Sequence, residues 1–229
     1  MFDRYATEYD AALSRGLSLS GEDKDFFARR RVEWLRDCLR SSFTSPRQVM
    51  DFGCGTGSNA PWLLSLLGAE RVVGIDDSPK MLEIARQVHA SEHAEFLTID
   101  ACPARGQFDL VFCNGVFHHI PLEGRAAAMD TIVRALRPGG WLALWENNPW
   151  NPGARWVMKR IPFDKDAVVV SAPEARRLTQ RGGLEVMRTD FLFIFPRVLK
   201  WCRAWEPALS RLPLGAQYQV LARKGGARP

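Results

Sequence analysis

Residues 49–59 read VMDFGCGTGSN. Three glycines, Gly53, Gly55 and Gly57, alternate between a short apolar run (QVMDF) and a stretch with helical apolar spacing over about 58–68. Glycine at such positions permits a tight turn and lets a ligand approach the backbone closely. A strand, a glycine turn and a helix in that order predict an open, mostly parallel sheet that binds its ligand beyond the carboxyl ends of the strands. The spacing is not the G-x-G-x-x-G of a dinucleotide site, because the third glycine comes one residue early and Ser58 follows it. Nor does a lysine follow, as a phosphate-cradling P-loop requires. Asp51, two residues before the first glycine, would repel a pyrophosphate and suits a ligand with a positive group.

Outward from this turn the pattern alternates. RVVGID, AEFLTID, FDLVFCNG and WLALWE read as strands; SPKMLEIARQVHA reads as a helix, with Ser78 as N-cap and Pro79 at its first position. LEGRAAAMDTIVRALRPGG reads as a helix closed by Pro138-Gly139-Gly140, and APEARRLTQRGG as another. LEVMRTDFLFIFP and GAQYQVLARK read as strands around a basic, Trp-containing helix. Such alternation predicts an α/β, Rossmann-like doubly wound fold with helices on both faces and right-handed crossovers. Upstream, Phe27, Arg31, Trp34, Leu35, Cys38 and Leu39 share helical spacing. The expected organisation is one domain, with a helical cap over 1–45 and the sheet unit over 46–229.

The second strand ends in Asp76-Asp77 and the third in Asp100-Ala101. A carboxylate after the second strand can accept both hydroxyls of a ribose; one after the third can accept from an adenine amino group. Each acid alone could be a loop residue or a helix cap. Asp51, Asp76 and Asp100 closing three successive strands after a glycine turn weigh against that plainer account.

These residues resemble a known family. DFGCGTG (51–57), GIDDSPKML (74–82), TIDA (98–101), FDLVFCNGVFHHI (108–120) and LRPGGWLAL (136–144) are similar, in order and spacing, to the motifs of class I S-adenosylmethionine-dependent methyltransferases. FDRYATEYD (2–10) resembles the leader of small-molecule members of the quinone-biosynthesis type. The resemblance implies a seven-stranded sheet with an antiparallel last strand, S-adenosylmethionine as cofactor and S-adenosylhomocysteine as product. It implies cofactor contacts from Asp51, Gly53, Cys54, Gly55 and Gly57, ribose contacts around Asp76, Asp77 and Met81, an adenine edge at Asp100 and Ala101, and donor contacts near Asn114. It also implies that the leader, with Tyr5 toward the acceptor and Tyr9 toward the cofactor, folds over the bound cofactor.

Methyl transfer from a sulfonium needs orientation and exclusion of water. A general base helps where the acceptor is a hydroxyl or a protonated amine. His118 and His119, just past the fourth strand, are the candidates. His118 is the better base; His119 reads as positional. Asn114-Gly-Val-Phe lacks the Asn/Asp-Pro-Pro-aromatic motif of base-amino methyltransferases, which argues against adenine or glutamine nitrogen as acceptor. WENNPWNP (145–152) leaves the fifth strand on the same edge. There Glu146, Asn147 and Asn148 can orient polar acceptor groups and Trp150 can wall a pocket, with Trp145 and Trp156 adding aromatic area; the alternative is a rigid turn with Asn caps.

The 229 residues have ordinary soluble composition and no apolar run long enough to span a bilayer. The acidic, aromatic N-terminus does not read as a secretory signal, so a cytoplasmic location is the default expectation. Five cysteines without CxxC spacing predict reduced, mostly buried thiols, with no metal site. Residues 1–150 hold 16 basic and 20 acidic residues, whereas 151–229 hold 15 and 6. The basic C-terminal third could face nucleic acid, anionic lipid or a phosphorylated substrate, or be a solvated Arg-rich surface. The segment 195–213 places Val198, Leu199, Cys202, Trp205, Leu209 and Leu212 on one helical stripe, expected to face the core, with an acceptor pocket or a peripheral membrane contact as alternatives. Arg29-Arg30-Arg31 could touch an anionic acceptor, but a solvated face is the favoured reading. The reading is a methyltransferase for a small-molecule acceptor, most often at oxygen. An RNA-modifying enzyme and a non-catalytic cofactor binder are the alternatives; dispersed charge and the lack of an RNA module weigh against nucleic acid, and the glycine spacing weighs against a nicotinamide oxidoreductase.

Overall fold

The computed structural model describes residues 16–17, 20–40, 45–102, 105–164 and 167–226. Its centre is a seven-stranded sheet in the order β3-β2-β1-β4-β5-β7-β6. The strands are β1 (Gln48–Phe52), β2 (Arg71–Asp76), β3 (Ala94–Thr98), β4 (Phe108–Asn114), β5 (Leu136–Asn147), β6 (Leu184–Leu192) and β7 (Gln217–Lys224). β1 to β5 pair in parallel, and β7 enters antiparallel between β5 and β6, as the family resemblance implied. The central strands read as near-continuous apolar runs because both faces are covered. On one face Val49, Val72, Leu110, Phe112, Ala143 and Trp145 pack under α1 (Lys24–Arg40), α2 (Ala60–Leu67) and α3 (Pro79–His89). On the other, Met50, Val73, Val111, Leu142 and Val220 pack under α4 (Arg125–Ala135) and α6 (Ala172–Arg181); α5 (Pro152–Arg160) follows β5.

Most local expectations hold. The Met81 N–H donates to Ser78 Oγ at 3.3 Å, so Ser78 caps α3 with Pro79 in its first turn. In α1 the stripe of Phe27, Arg31, Leu35, Cys38 and Leu39 is buried. Of the five cysteines, Cys38, Cys54, Cys113 and Cys202 are buried and Cys102 is half-buried.

Three expectations fail for identifiable reasons. Pro138-Gly139-Gly140 does not close α4; the helix stops at Ala135 and Leu136 already pairs with Phe108. The ladder resumes at Leu110 and Trp141, so the Pro-Gly-Gly stretch is absorbed as a register shift, with Gly139 at φ 79°. Burial of Leu136 holds this strand start in place. Next, β6 ends at Leu192, because Phe193 turns at φ 63° and the Ile194 and Phe195 N–H groups donate to Glu206 Oε1 instead of to a strand (2.9 and 3.2 Å). Finally, 195–213 is not a core-facing helix. It is a run of 3-10 turns, Arg197–Trp205, interrupted at Leu199, followed by the short α7 (Glu206–Leu209). Of the expected stripe only Cys202 is buried; Val198, Leu199, Trp205 and Leu212 are exposed.

The glycine turn after β1 depends on backbone geometry that other residues resist. Gly57 sits at φ +77°, and a Cβ there would come within 2.8 Å of the Phe96 ring. Gly57→Ala should therefore cost about 1–3 kcal/mol, lowering the melting temperature by roughly 2–4 °C per kcal/mol in a chain of this size. A thermal unfolding curve superimposable on that of the parent chain would refute this account of the turn.

Candidate active site

The turn is anchored by the end of the neighbouring strand. The N–H groups of Gly53 and Cys54 donate to the Ile75 carbonyl at 2.8 and 3.0 Å. Asp76, one residue further, accepts from the Gly55 N–H (2.8 Å) and, through its other oxygen, from the Ser78 N–H (2.9 Å). Gly55 lies at φ +53° with open space where a Cβ would stand, so its backbone is accessible to a ligand. Beside this turn opens a cavity of about 450 Å³. Gly53, Cys54 and Gly55 line it, with Asn59, Asn114, His118 and His119.

Two buried carboxylates stand behind the glycine edge. Asp51 is completely enclosed and its carboxyl is pushed up to about 7 by burial; the Asn59 amide, donating at 3.1 Å, pulls it down, Asp76 adds repulsion and Arg31 offsets part of it. Asp76 is raised to about 6, again by burial first, with the Ser78 and Gly55 N–H groups opposing. Both therefore resist ionisation, and a ligand bringing positive charge or hydroxyl donors would relieve that cost.

Arg31 was expected on a solvated face. It is instead buried and lines the cavity. Its Nε–H donates to Gln217 Oε1 at 2.9 Å, and Gln217 Nε2 donates to Asn147 Oδ1 at 3.0 Å. The signal was present in the sequence, since Arg31 falls within the apolar stripe of α1. Asn59, at the end of the glycine stretch, was given no role there, and Gln217 was not foreseen, since only sheet order brings it to the cavity.

The expected acceptor residues separate. His118 and Asn147 line the cavity, whereas Glu146 lies behind His118. His118 Nδ1 is 2.6 Å from Glu146 Oε2, and the Phe117 N–H donates to Glu146 Oε1 at 2.7 Å; both side chains are buried. His119 stacks against His118 with ring centroids 4.0 Å apart. Asn148 is a clamp: its amide donates to the carbonyls of Pro213 (3.1 Å) and Gly215 (2.8 Å), and its oxygen accepts from the Trp150 N–H. Trp150 faces solvent instead of walling the pocket. Trp145 is a core residue and Trp156 stacks under the Arg160 guanidinium, so neither adds acceptor surface. Asp76 ends β2 and Asp77 follows it, Met81 lies in the first turn of α3, Asp100 and Ala101 follow β3, and Gly57 closes the turn after β1; none of the six lines the cavity. Tyr5 and Tyr9 lie outside the described residues.

A cofactor with a cationic, amino-acid and ribosyl character fits these residues on structural grounds. The Asn114 side-chain oxygen is buried without a partner, and Asn114 lines the cavity; the Gly55 backbone is open; two destabilised carboxylates wait at strand ends.

Comparison with known proteins agrees. A family model described as a methyltransferase domain matches residues 49–140. The chain is 33% identical over 139 residues to trans-aconitate 2-methyltransferase of Azoarcus sp., covering 59% of this chain and 53% of that protein, so the match spans about half the length of that relative. It is 30% identical over 203 residues to a ubiquinone biosynthesis O-methyltransferase of Albidiferax ferrireducens, covering 85% of this chain and 71% of the relative. The chain belongs to the class I S-adenosylmethionine-dependent methyltransferases. A crystal structure of a methyltransferase of this kind from Thermotoga maritima has the same fold, with a TM-score of 0.65 at 21% identity, over 97% of this chain and 98% of that one.

The two raised carboxylates give this methyltransferase fold a defined pH response. Their ordinary value is 3.8, against about 7 for Asp51 and about 6 for Asp76 in the folded chain. Between those limits the folded state binds more protons than the unfolded one, so their contribution is fully present below about pH 4 and is lost as pH rises toward 7. Asp51→Asn should flatten the fall in melting temperature over that range. An unaltered pH dependence in the variant would exclude Asp51 as its source.

Proposed function

We propose that the chain is an S-adenosylmethionine-dependent methyltransferase acting on a hydroxyl oxygen of a small-molecule biosynthetic intermediate, with His118 as the proton acceptor. The observation that carries the reading is the buried His118–Glu146 pair, of which His118 lines the cavity beside the glycine turn. When bound, S-adenosylmethionine supplies a methyl group already activated on a sulfonium, which moves by in-line displacement and leaves S-adenosylhomocysteine.

The chain's own residues bind, orient and move a proton. Arg31 on the wall and Asp51 behind Asn59 offer opposite charges, matching the carboxylate and ammonium of the methionine end. Asp76 takes the ribose hydroxyls while it braces the turn through the Gly55 N–H; Asp77 and Met81 stand beside it, and Asp100 and Ala101 take the adenine edge. Asn114 supplies an unpartnered buried acceptor near the donor group.

Glu146 at Nδ1 fixes the imidazole tautomer, with the proton on Nδ1 and the basic lone pair on Nε2. His118 Nε2 then takes the proton from the acceptor hydroxyl as its oxygen gains the methyl group, and the imidazolium formed is stabilised by the Glu146 carboxylate. Glu146 is thus a positioning residue, and Asn147 orients acceptor polar groups through the Gln217–Arg31 chain. The relative named as a ubiquinone biosynthesis O-methyltransferase supports oxygen as the acceptor atom.

Release of S-adenosylhomocysteine against a panel of hydroxylated acceptors, with calorimetry of cofactor binding, tests this. His118→Ala should lower turnover by about 10²–10⁴-fold while leaving cofactor affinity near that of the parent chain. Glu146→Gln should shift the pH–rate profile at similar affinity. Asp76→Ala should weaken cofactor binding by about 1–3 kcal/mol. Full turnover of His118→Ala at every pH would remove the base assignment, and absence of S-adenosylmethionine binding by the parent chain would end the whole reading.

A further inference from the structure

The chain between β6 and β7 has two sides. Its inner side closes the cavity, through Ile194, Phe195, Pro196, Arg203 and Glu206. Its outer side carries large apolar groups in water: Val198 is 81% exposed, Trp201 68% and Trp205 59%, with Leu212 and Leu214 also exposed. The Trp201 and Trp205 rings meet edge to face at 6.2 Å. Trp150, 54% exposed, projects from the loop that Asn148 and Asn151 tie to the carbonyls of Pro213, Leu214 and Gly215. Scattered exposed apolar residues need no explanation, but seven large ones, Leu199 among them, on one segment and the loop bonded to it do.

The charges on this segment have one sign outward. Between residues 195 and 214 stand Arg197, Lys200, Arg203 and Arg211, and a single acid, Glu206. Glu206 is buried, and its carboxylate is turned inward to accept from the Ile194 and Phe195 N–H groups. Arg197, Lys200 and Arg211 are exposed, as are Arg155, Lys159 and Arg160 on α5, the helix that follows the Trp150 loop.

We propose that this face docks on an anionic lipid bilayer, with Trp201, Trp205 and Val198 entering the headgroup–acyl boundary and Arg197 and Lys200 meeting lipid phosphates. Tryptophan is favoured at that depth because its ring is apolar and its N–H remains near water. Basic residues around an apolar face add attraction to anionic lipid. The aliphatic members decide against nucleic acid, since Val198, Leu212 and Leu214 have no base to stack on and would remain in water. Charge decides against a second copy of the chain. A two-fold contact would bring the basic residues against their own copies with no exposed acid of the segment to neutralise them. The docking is independent of which acceptor the cavity takes.

The test is flotation of the full-length chain with vesicles of phosphatidylcholine alone or with phosphatidylglycerol added. The expected result is binding to the mixed vesicles, weak binding to phosphatidylcholine alone, and release by salt. Trp201→Ala with Trp205→Ala should reduce partitioning by about ten-fold or more, and Lys200→Glu should lower it on anionic vesicles only. These side chains are exposed, so melting temperature and cofactor binding should stay at parent values, which separates lost docking from lost folding. Equal binding to both vesicle types, no binding at low salt, or undiminished binding by the double variant would overturn the proposal. So would a solution dimer that the double variant converts to monomer, or occupation of the two tryptophans by single-stranded RNA or an acidic protein in place of lipid.

Discussion

The contact on which the site depends is the pair of hydrogen bonds that Asp76 accepts, from the Gly55 N–H on one oxygen and from the Ser78 N–H on the other. One carboxylate at the end of β2 thereby fixes both the turn after β1 and the entry into α3. The turn can reach it only because Gly53, Gly55 and Gly57 all adopt positive φ. The arrangement comes with an electrostatic penalty, since burial raises Asp76 and, nearby, Asp51. A fold selected for stability alone would not keep two carboxylates so enclosed at one strand edge. Their relief by a cationic, hydroxyl-bearing ligand connects backbone geometry to ligand choice.

What could be read in the sequence follows from periodicity. The strand and helix alternation, the glycine turn and the Ser78 cap rest on local spacing, and apart from Pro138–Gly140, the end of β6 and the segment 195–213 they appear where the pattern put them. Arg31 belonged to two readings, the stripe of α1 and a charged run favoured as a solvated face, and only the first holds. Its place in the α1 stripe between Phe27 and Leu35 carried the better information. The His118–Glu146 pair joins residues 28 apart across two strand ends, a relation that depends on sheet order and side-chain parity and that no local pattern encodes. The segment 195–213 failed for a third reason. Its apolar residues do repeat at helical spacing, but the backbone breaks at Leu199 and winds as 3-10 turns, so the stripe does not turn to the core and only Cys202 of it is buried.

The run WENNPWNP illustrates how position along a strand end separates roles that composition merges. Trp145 belongs to the core under α1, and Glu146, one residue on, points to the opposite face, where it meets His118. Asn147 returns to the cavity through Gln217. Asn148 and Asn151 then hold the chain between β6 and β7 by its carbonyls, while Trp150 is left outside. Asn148 and Asn151 thus serve to fix a wall, and Asn147 and Asn151 also line the cavity, which a reading by residue type could not distinguish.

The two halves of the cavity are consequently built on different principles. The glycine turn, Asp51, Asp76 and Asn114 are all strand ends of one continuous parallel sheet, where backbone position is set by ladders on both sides and little can shift without disturbing the core. The opposite wall, from Phe193 to Gln217, is irregular and is secured by a few side-chain to backbone bonds, those of Glu206, Asn148, Asn151 and Arg203. A substitution there changes the shape of the acceptor space without touching the sheet. The segment that forms this wall also carries the exposed Trp201 and Trp205 on its outer side, so the shape of the cavity and the character of the surface are set by one stretch of chain.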